Sequence, residues 1–283
     1  MSYAFQHNTL FVFDIETVPD TEAVFNLTGV QSNDPAQLKA ALDKYHLDIT
    51  DGKNSFPRQM FHKVVAISFV EAEIDREGGE EIFHFKHVMS GRDEKASEKE
   101  LIEAFCNFMQ RKKPRLVSFN GRGFDLPVLK FRAMKYGLSM PALYQSGDKW
   151  NSYNSRYSAD WHCDLLDVLS DFGAATRGMK LNELCAVFGF PGKLGIDGSK
   201  VSEMYDAGQL KEIRDYCETD VLNTYLVYLR YLLLTGGITR PSYNAAVSQV
   251  VTYIEAESPH RAHLGEFMQA WGEASNNQFL LDN

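Results

Sequence analysis

Three short stretches of the chain place acidic groups where an apolar pattern breaks off. The first is Asp14-Ile15-Glu16, the second closes on Asp125 in NGRGFD, and the third is Tyr216-Cys217-Glu218-Thr219-Asp220. Residues two apart on a strand share a face, so Asp14 and Glu16 can point into one pocket. Residues four apart on a helix also share a face, which pairs Tyr216 with Asp220. A buried carboxylate is costly unless it is paired or coordinates a metal, and adjacent carboxylates repel. Each element also has a plainer reading: a solvated surface turn for DIETVPD, a helix N-cap for Asp125, and a solvated acid or a Tyr–Asp hydrogen bond for Asp220. Taken together, the three describe a divalent-cation site of hard oxygen ligands: Asp14, Glu16, Asp125 and Asp220. With no histidine or cysteine accompanying them, Mg²⁺ or Mn²⁺ suits the site better than structural zinc. Two such ions about 4 Å apart activate a water and stabilise the leaving oxygen in phosphodiester cleavage.

The surrounding pattern must position these groups. Residues 9–14 (TLFVFD) read as a buried strand carrying Asp14 and Glu16 at its end, with Pro19 and Asp20 terminating it. Residues 20–57 are mixed, with one helical pattern at 35–45, and look like an insertion over one end of a sheet. Segments 64–72 and 81–89 read as strands joined by a hairpin through 75–80, which contains Gly78 and Gly79. Residues 97–111 form an amphipathic helix, opened by a Ser97/Glu100 capping box and stopped by Pro114. A strand at 115–119 leads into the 120–125 turn, whose glycines allow a sharp bend, and a helix at 126–136 follows. The remainder reads as a loop (145–160), a short strand (161–166), a helix (180–188), a glycine-rich loop (191–199), a long helix (212–234) capped at Gly236 and Gly237, and two helical segments (241–257, 260–273). A strand hairpin followed by strand–helix alternation predicts an α/β fold, a mixed sheet with helices packed on it.

Bulk properties narrow the class. With 283 residues, 44% hydrophobic and 24% charged, the chain can bury an ample core and has ordinary globular composition. It has no apolar run of membrane-spanning length, and residues 1–8 lack signal-peptide character, so a cytoplasmic location is expected. Cys106, Cys163, Cys185 and Cys217 are scattered and read as buried, reduced thiols. A net charge of −9 argues against tight grip on long duplex. Either the protein does not bind nucleic acid, or it binds briefly, through a local basic path and metal ions.

The motifs FDIET, NGRGFD and YCETD resemble the three exonuclease motifs of the DEDD superfamily, in the branch whose third motif is Tyr-x-x-x-Asp. That branch includes the proofreading domains of family B DNA polymerases. HCDLLDVL, GKLGIDGSKV and DYCETDVLNTYLVYLR widen the likeness to free-standing bacterial proteins described as predicted polymerase-B-like 3′–5′ exonucleases, over roughly residues 9–235. The resemblance implies a ribonuclease H-like fold, a mixed five-stranded sheet flanked by helices, with residues 236–283 as a helical extension packed on the same domain. It implies two Mg²⁺ or Mn²⁺ ions, with Asp14 contacting both, Glu16 and Asp220 holding the ion that carries the attacking water, and Asp125 supporting the second. Tyr216 would orient the water, because a phenol with pKa near 10 is a poor base at neutral pH. Asn120 would touch the substrate, and Phe124 would wedge near the terminal base.

The implied partner is nucleic acid with a free 3′ end, single-stranded DNA by preference. Trp150, in the loop KWNSYNSRY, would stack unpaired bases, and Lys200 would meet phosphate; the alternatives are an ordinary surface loop and a simple connector. The basic run of Arg111, Lys112, Lys113 and Arg115 reads as a helix terminus, His162 as a satisfied core histidine, and Asp164 as either a further site acid or a cap. An exoribonuclease and a non-catalytic binding or scaffolding module of the same fold remain open at this point.

Overall fold

Alternation along the first strand sets the architecture. In β1 (Thr9–Pro19), Leu10 and Val12 enter one core while Phe11, Phe13 and Ile15 enter another, so the strand is sandwiched between two helical layers. The computed structural model describes residues 7–176, 178–195 and 197–282. After β1 come α1 (Val24–Thr28), α2 (Pro35–Ile49), β2 (His62–Glu77), β3 (Glu80–Ser90), α3 (Glu98–Lys112), β4 (Arg115–Ser118), α4 (Asp125–Lys135), α5 (Pro141–Gln145), β5 (His162–Asp164), α6 (Leu165–Leu169), α7 (Leu181–Phe188), α8 (Val201–Asp206), α9 (Leu210–Thr235), α10 (Arg240–Glu257) and α11 (Ala262–Ser275).

The sheet is five-stranded in the order β3-β2-β1-β4-β5. The first three strands pair antiparallel, while β4 runs parallel to β1 and β5 to β4. This is the mixed α/β, ribonuclease H-like sheet that the motifs implied. One face packs on α9, α10 and α11 through residues such as Leu222, Leu226, Val247, Phe267 and Trp271. The other packs on α3 and α4 through Ile102, Phe105, Val128 and Leu129.

Several boundaries differ from the pattern-based reading. β1 runs on to Pro19, because β2 pairs with it as far as Pro19↔His62, so Asp14 and Glu16 lie inside the strand rather than at its end. β2 and β3 extend to Glu77↔Glu80, leaving only Gly78 and Gly79 in the turn. Both have positive φ (59° and 88°), as a two-residue turn matched to strand twist requires. The short α1, α5, α6 and α8 were not legible as periodic segments. The Ser97/Glu100 capping box is formed, and Gly236 caps α9 in the left-handed region. Beyond α9, Ile238, Tyr243, Val250 and Phe267 join the α9 core, and side chains of this region close the exposed edge of β3: Gln249 Oε1 accepts from Phe85 N at 2.9 Å, and Tyr253 and Arg261 donate to the Val88 carbonyl. No helix among the described residues is long and apolar enough to cross a membrane. The four cysteines are buried and free.

Candidate active site

The two carboxylates of β1 continue the Leu10–Val12 row, which faces α9. There α9 presents Tyr216, Cys217 and Asp220 just before its apolar contacts at Val221, Leu222 and Tyr225. The third element arrives from β4. Asp125 opens α4 and is 3% exposed, and its Oδ1 accepts from the Ile15 amide at 3.1 Å, which places it between Asp14 and Glu16 on the strand. Asp125 is the first residue of the helix; Phe124 occupies the cap position. The turn before it is made differently from expectation. Its sharp bend falls on Asn120, at φ +69°, while the glycines provide space: a Cβ on Gly121 would lie 2.4 Å from Ser118 Oγ, and one on Gly123 2.4 Å from Asn120 Oδ1.

The electrostatics of the cluster are those of uncompensated charge. Burial and the neighbouring Asp125, Glu16 and Asp220 push the Asp14 carboxyl well above its usual range. Burial, Asp220 and Asp125 do the same to Glu16. Burial raises Asp125 to about 7 and Asp220 to about 6, the latter restrained by a hydrogen bond from the Tyr216 hydroxyl. Among the described residues, no salt bridge reaches any of the four. The nearest relief is Lys193, whose charge opposes the upward shift at Glu16 and Asp220 and whose ammonium stands 5.9 Å from the centre of the Tyr216 ring. Asn223, fully buried in α9, aims that lysine by holding Gly192 through two hydrogen bonds.

Oxygen ligands of this kind fit a divalent cation. A cysteine does accompany them, contrary to expectation. Cys217 lies with Asp14 and Glu16 so that one ligand atom of each falls within 4.8 Å of the others. Burial pushes its thiol well up, and it lies 3.6 Å from the Asp14 carbonyl oxygen, so it stands as a neutral donor beneath the carboxylates.

The other sequence candidates scatter. Phe124 is half-buried with its ring edge-on to His62, 4.9 Å between centroids, and Asn120 is exposed beside Asp125. Trp150 is 72% exposed; its ring contact is with the neighbouring Lys149, and no described contact ties it to the acids. The same loop divides: Tyr153 is buried and donates to the Pro114 carbonyl, whereas Tyr157 is exposed. Lys200 is exposed, leading into α8, without a described contact to the acids; of the lysines in that loop it is Lys193, itself paired with Asp197, whose charge acts on Glu16 and Asp220. Ile196, in the same loop, lies outside the described residues. Asp164 is a brace: its carboxylate accepts from the amides of Asn120, Arg122 and Leu166 and so holds the NGRGFD turn. His162 is buried, its Nε2 bonded with Ser118 Oγ, and burial holds its pKa well below the ordinary value. Arg115 is buried against both oxygens of Glu81, and Arg111 and Lys112 end α3.

Comparison with known proteins gives this arrangement a family. Over 247 residues, 76% of this chain, the sequence is 23% identical to the epsilon DNA polymerase of Emericella nidulans, in its catalytic polypeptide, of whose length the match is 10%. The family B DNA polymerase of the hyperthermophilic archaeon Pyrobaculum calidifontis aligns with 87% of this chain and 29% of its own at 18% identity, with a TM-score of 0.45. A family model described as a predicted 3′-5′ exonuclease related to the exonuclease domain of PolB matches residues 54–271. Asp125, Tyr216 and Asp220 lie inside that span, and β1 brings Asp14 and Glu16 to them from outside it. The chain belongs to this family of 3′–5′ exonucleases related to the exonuclease domain of PolB.

Proposed function

We propose that the protein removes nucleotides from the 3′ end of single-stranded DNA, with Asp14, Glu16, Asp125 and Asp220 holding two divalent cations, Mg²⁺ or Mn²⁺. One observation carries this reading: four carboxylates from three distant segments act on one another, Glu16 and Asp125 buried and Asp14 and Asp220 half-buried, all shifted toward protonation, with no salt-bridge partner among the described residues. Folding does not leave such repulsion uncompensated without a use for it. When bound, the two cations would supply activation of a water and stabilisation of the leaving 3′ oxygen. Tyr216 orients the attacking water. Its hydroxyl already donates to Asp220, and burial and the surrounding acids push its own pKa far up, so it serves as a hydrogen-bonding group and not as a base. Lys193 adds positive charge near Glu16 and Asp220, offset in part by its own ion pair with Asp197 at 3.3 Å, and would help neutralise a bound phosphate. DNA as substrate is supported by the likeness to a DNA polymerase. We read residues 1–235 as the catalytic unit and 236–283 as a helical extension packed on it.

The test is hydrolysis of a 5′-labelled single-stranded oligonucleotide with Mg²⁺ or Mn²⁺, beside matched RNA and a 3′-blocked strand. A ladder shortening from the 3′ end, absent with chelator and in Asp14→Asn, is expected. Cleavage that survives chelation or the Asp14 substitution refutes the proposal, and faster RNA turnover moves the substrate to RNA.

A further inference from the structure

The third motif carries a carboxylate that the four-acid cluster does not use. Glu218 lies midway between Tyr216 and Asp220, about 200° round the helix from each, so it turns away from the side those two share. It is 6% exposed, and both its oxygens are engaged. On one side stand two donors from the start of α11. Arg261 Nη2 pairs with Glu218 Oε2, and His263 Nε2 lies 2.8 Å from the same oxygen. A carboxylate can only accept, so Nε2 carries the proton. Both donors are anchored in turn. Arg261 donates to the Val88 carbonyl at 3.0 Å and to the Tyr253 hydroxyl at 2.8 Å, and His263 Nδ1 stands 3.2 Å from Asp215 Oδ1. On the other side, Ser90 Oγ of β3 donates to Glu218 Oε1 at 2.8 Å. That commits its proton, so Ser90 accepts from Ser68 Oγ, 2.8 Å away in β2. Ser68 is fully buried and is the cross-strand partner of Asp14. Burial would raise the Glu218 carboxyl, but His263, Arg261 and Ser90 hold it below its ordinary value.

A buried chain of hydrogen bonds therefore runs from the C-terminal extension, through the third motif, to the strand residue opposite Asp14. The apolar contacts of α9, at Val221, Leu222 and Tyr225, press the helix onto the sheet but are non-directional. A carboxylate held by charge-assisted bonds on both oxygens is directional. Replacing buried ion pairs by apolar side chains often costs no stability, and the best-attested use of such pairs is to fix register. Register matters here because Asp14 rides on β1 and Asp220 on α9, and a cation such as Mg²⁺ accepts oxygens only near about 2.1 Å. We propose that Glu218 is a positioning residue: gripped by Arg261 and His263 and seated on Ser90, it sets the rotation and depth of α9 so that Tyr216 and Asp220 meet the acids of β1. The helical extension thereby acts on the metal site through Glu218. The proposal rests on the nuclease reading above.

The experiment uses the full chain, Mn²⁺ and a single-stranded oligonucleotide. Glu218→Gln should weaken Mn²⁺ binding about tenfold by calorimetry and lower kcat about tenfold per folded molecule, with KM for the oligonucleotide unchanged. Raising Mn²⁺ should recover much of that kcat, and should not do so in Asp220→Asn. Ser90→Ala removes only the bond on the sheet side and should weaken Mn²⁺ binding by a smaller factor. Arg261→Lys, which keeps the charge, should stay nearer to wild type than Arg261→Met. If Glu218→Gln melts at a lower temperature yet binds Mn²⁺ and turns over like wild type, Glu218 only stabilises the fold and the proposal falls. A loss confined to KM overturns it too. Should Glu218→Gln fail to fold, Ser90→Ala and the two Arg261 variants decide on the same readouts. Mn²⁺ binding that depends on Glu218, in a wild type that leaves DNA uncut, would sink the nuclease reading and leave the positioning role standing; cleavage and Mn²⁺ binding both indifferent to Glu218 do the reverse.

Discussion

Two buried clusters of charge lie on either side of β1, and they are opposites. In one, Arg132 of α4 is 2% exposed and bridges Asp20 and Glu98. Glu98 also accepts from the Val64 amide at 2.7 Å and the Tyr136 hydroxyl at 2.6 Å, while Lys135 reaches Asp20 at 3.0 Å. Burial alone would raise the Asp20 pKa, but Arg132 and Lys135 hold it below the ordinary value. In the other, Asp14, Glu16, Asp125 and Asp220 are raised and lack an arginine. The first cluster is closed and fastens the start of the inserted segment to α3 and α4. The second is open and retains a repulsion that no salt bridge among the described residues offsets. Buried charge by itself therefore says little about function; whether the protein supplies the counter-charge separates a brace from a site.

The comparison breaks most visibly through activity. Asp14→Asn should lower kcat/KM for oligonucleotide hydrolysis on the order of a thousandfold, while the fold remains intact by circular dichroism. Arg132→Ala should do the reverse. It leaves Asp20 and Glu98 buried and unpaired, costing about 3–5 kcal/mol and lowering Tm by roughly 10 °C. If Arg132→Ala melts like wild type, the closed cluster is not the brace described.

The two clusters should also respond oppositely to pH. A carboxylate whose folded pKa is raised stabilises the native state when protonated, and that contribution is lost as pH rises through the folded value. For chelated protein, the open cluster should thus cost stability between the ordinary carboxylate value of about 4 and the values of about 6 and 7 at Asp220 and Asp125. Asp20, with its lowered pKa, contributes stability above its unfolded value that is lost as pH falls through the folded one. In chelator at pH 8, Asp125→Asn should raise Tm by a few degrees, about 1–2 kcal/mol. Mn²⁺ should raise Tm for wild type more than for this variant. Calorimetric scans with and without Mn²⁺ check both, and a destabilised Asp125→Asn in chelator contradicts the repulsion. Smallest of all, Lys193→Met should lower kcat/KM about tenfold, and Lys200→Met should change it less than about twofold; equal effects would mean that proximity to Glu16 and Asp220 does not matter.

The open cluster was more legible than the closed one. Its members interrupt apolar runs, and alternation alone put Asp14 and Glu16 on one face. Nothing in the spacing of Asp20, Glu98 and Arg132 connects them, because each comes from a different element and their contact exists only after α3 and α4 have packed. The pattern-based reading chose Lys200, whereas the lysine whose charge acts on Glu16 and Asp220 is Lys193; the course of its glycine-rich loop is set by Asn182 and Asn223, which lie in two other elements.

What the sequence by itself determined is local: strand and helix periodicity, the two-glycine hairpin, the capping box, and three acidic motifs whose residue types are those of hard-cation ligands. These follow from short-range sterics and from the cost of burying charge, which any one segment expresses alone. The tertiary structure decided which charges are neutralised and which are left waiting. It also decided that Asn120 bends the second motif and that Cys217 lies against Asp14. Each depends on distances between elements far apart along the chain, and those are set only when the two faces of the sheet are covered.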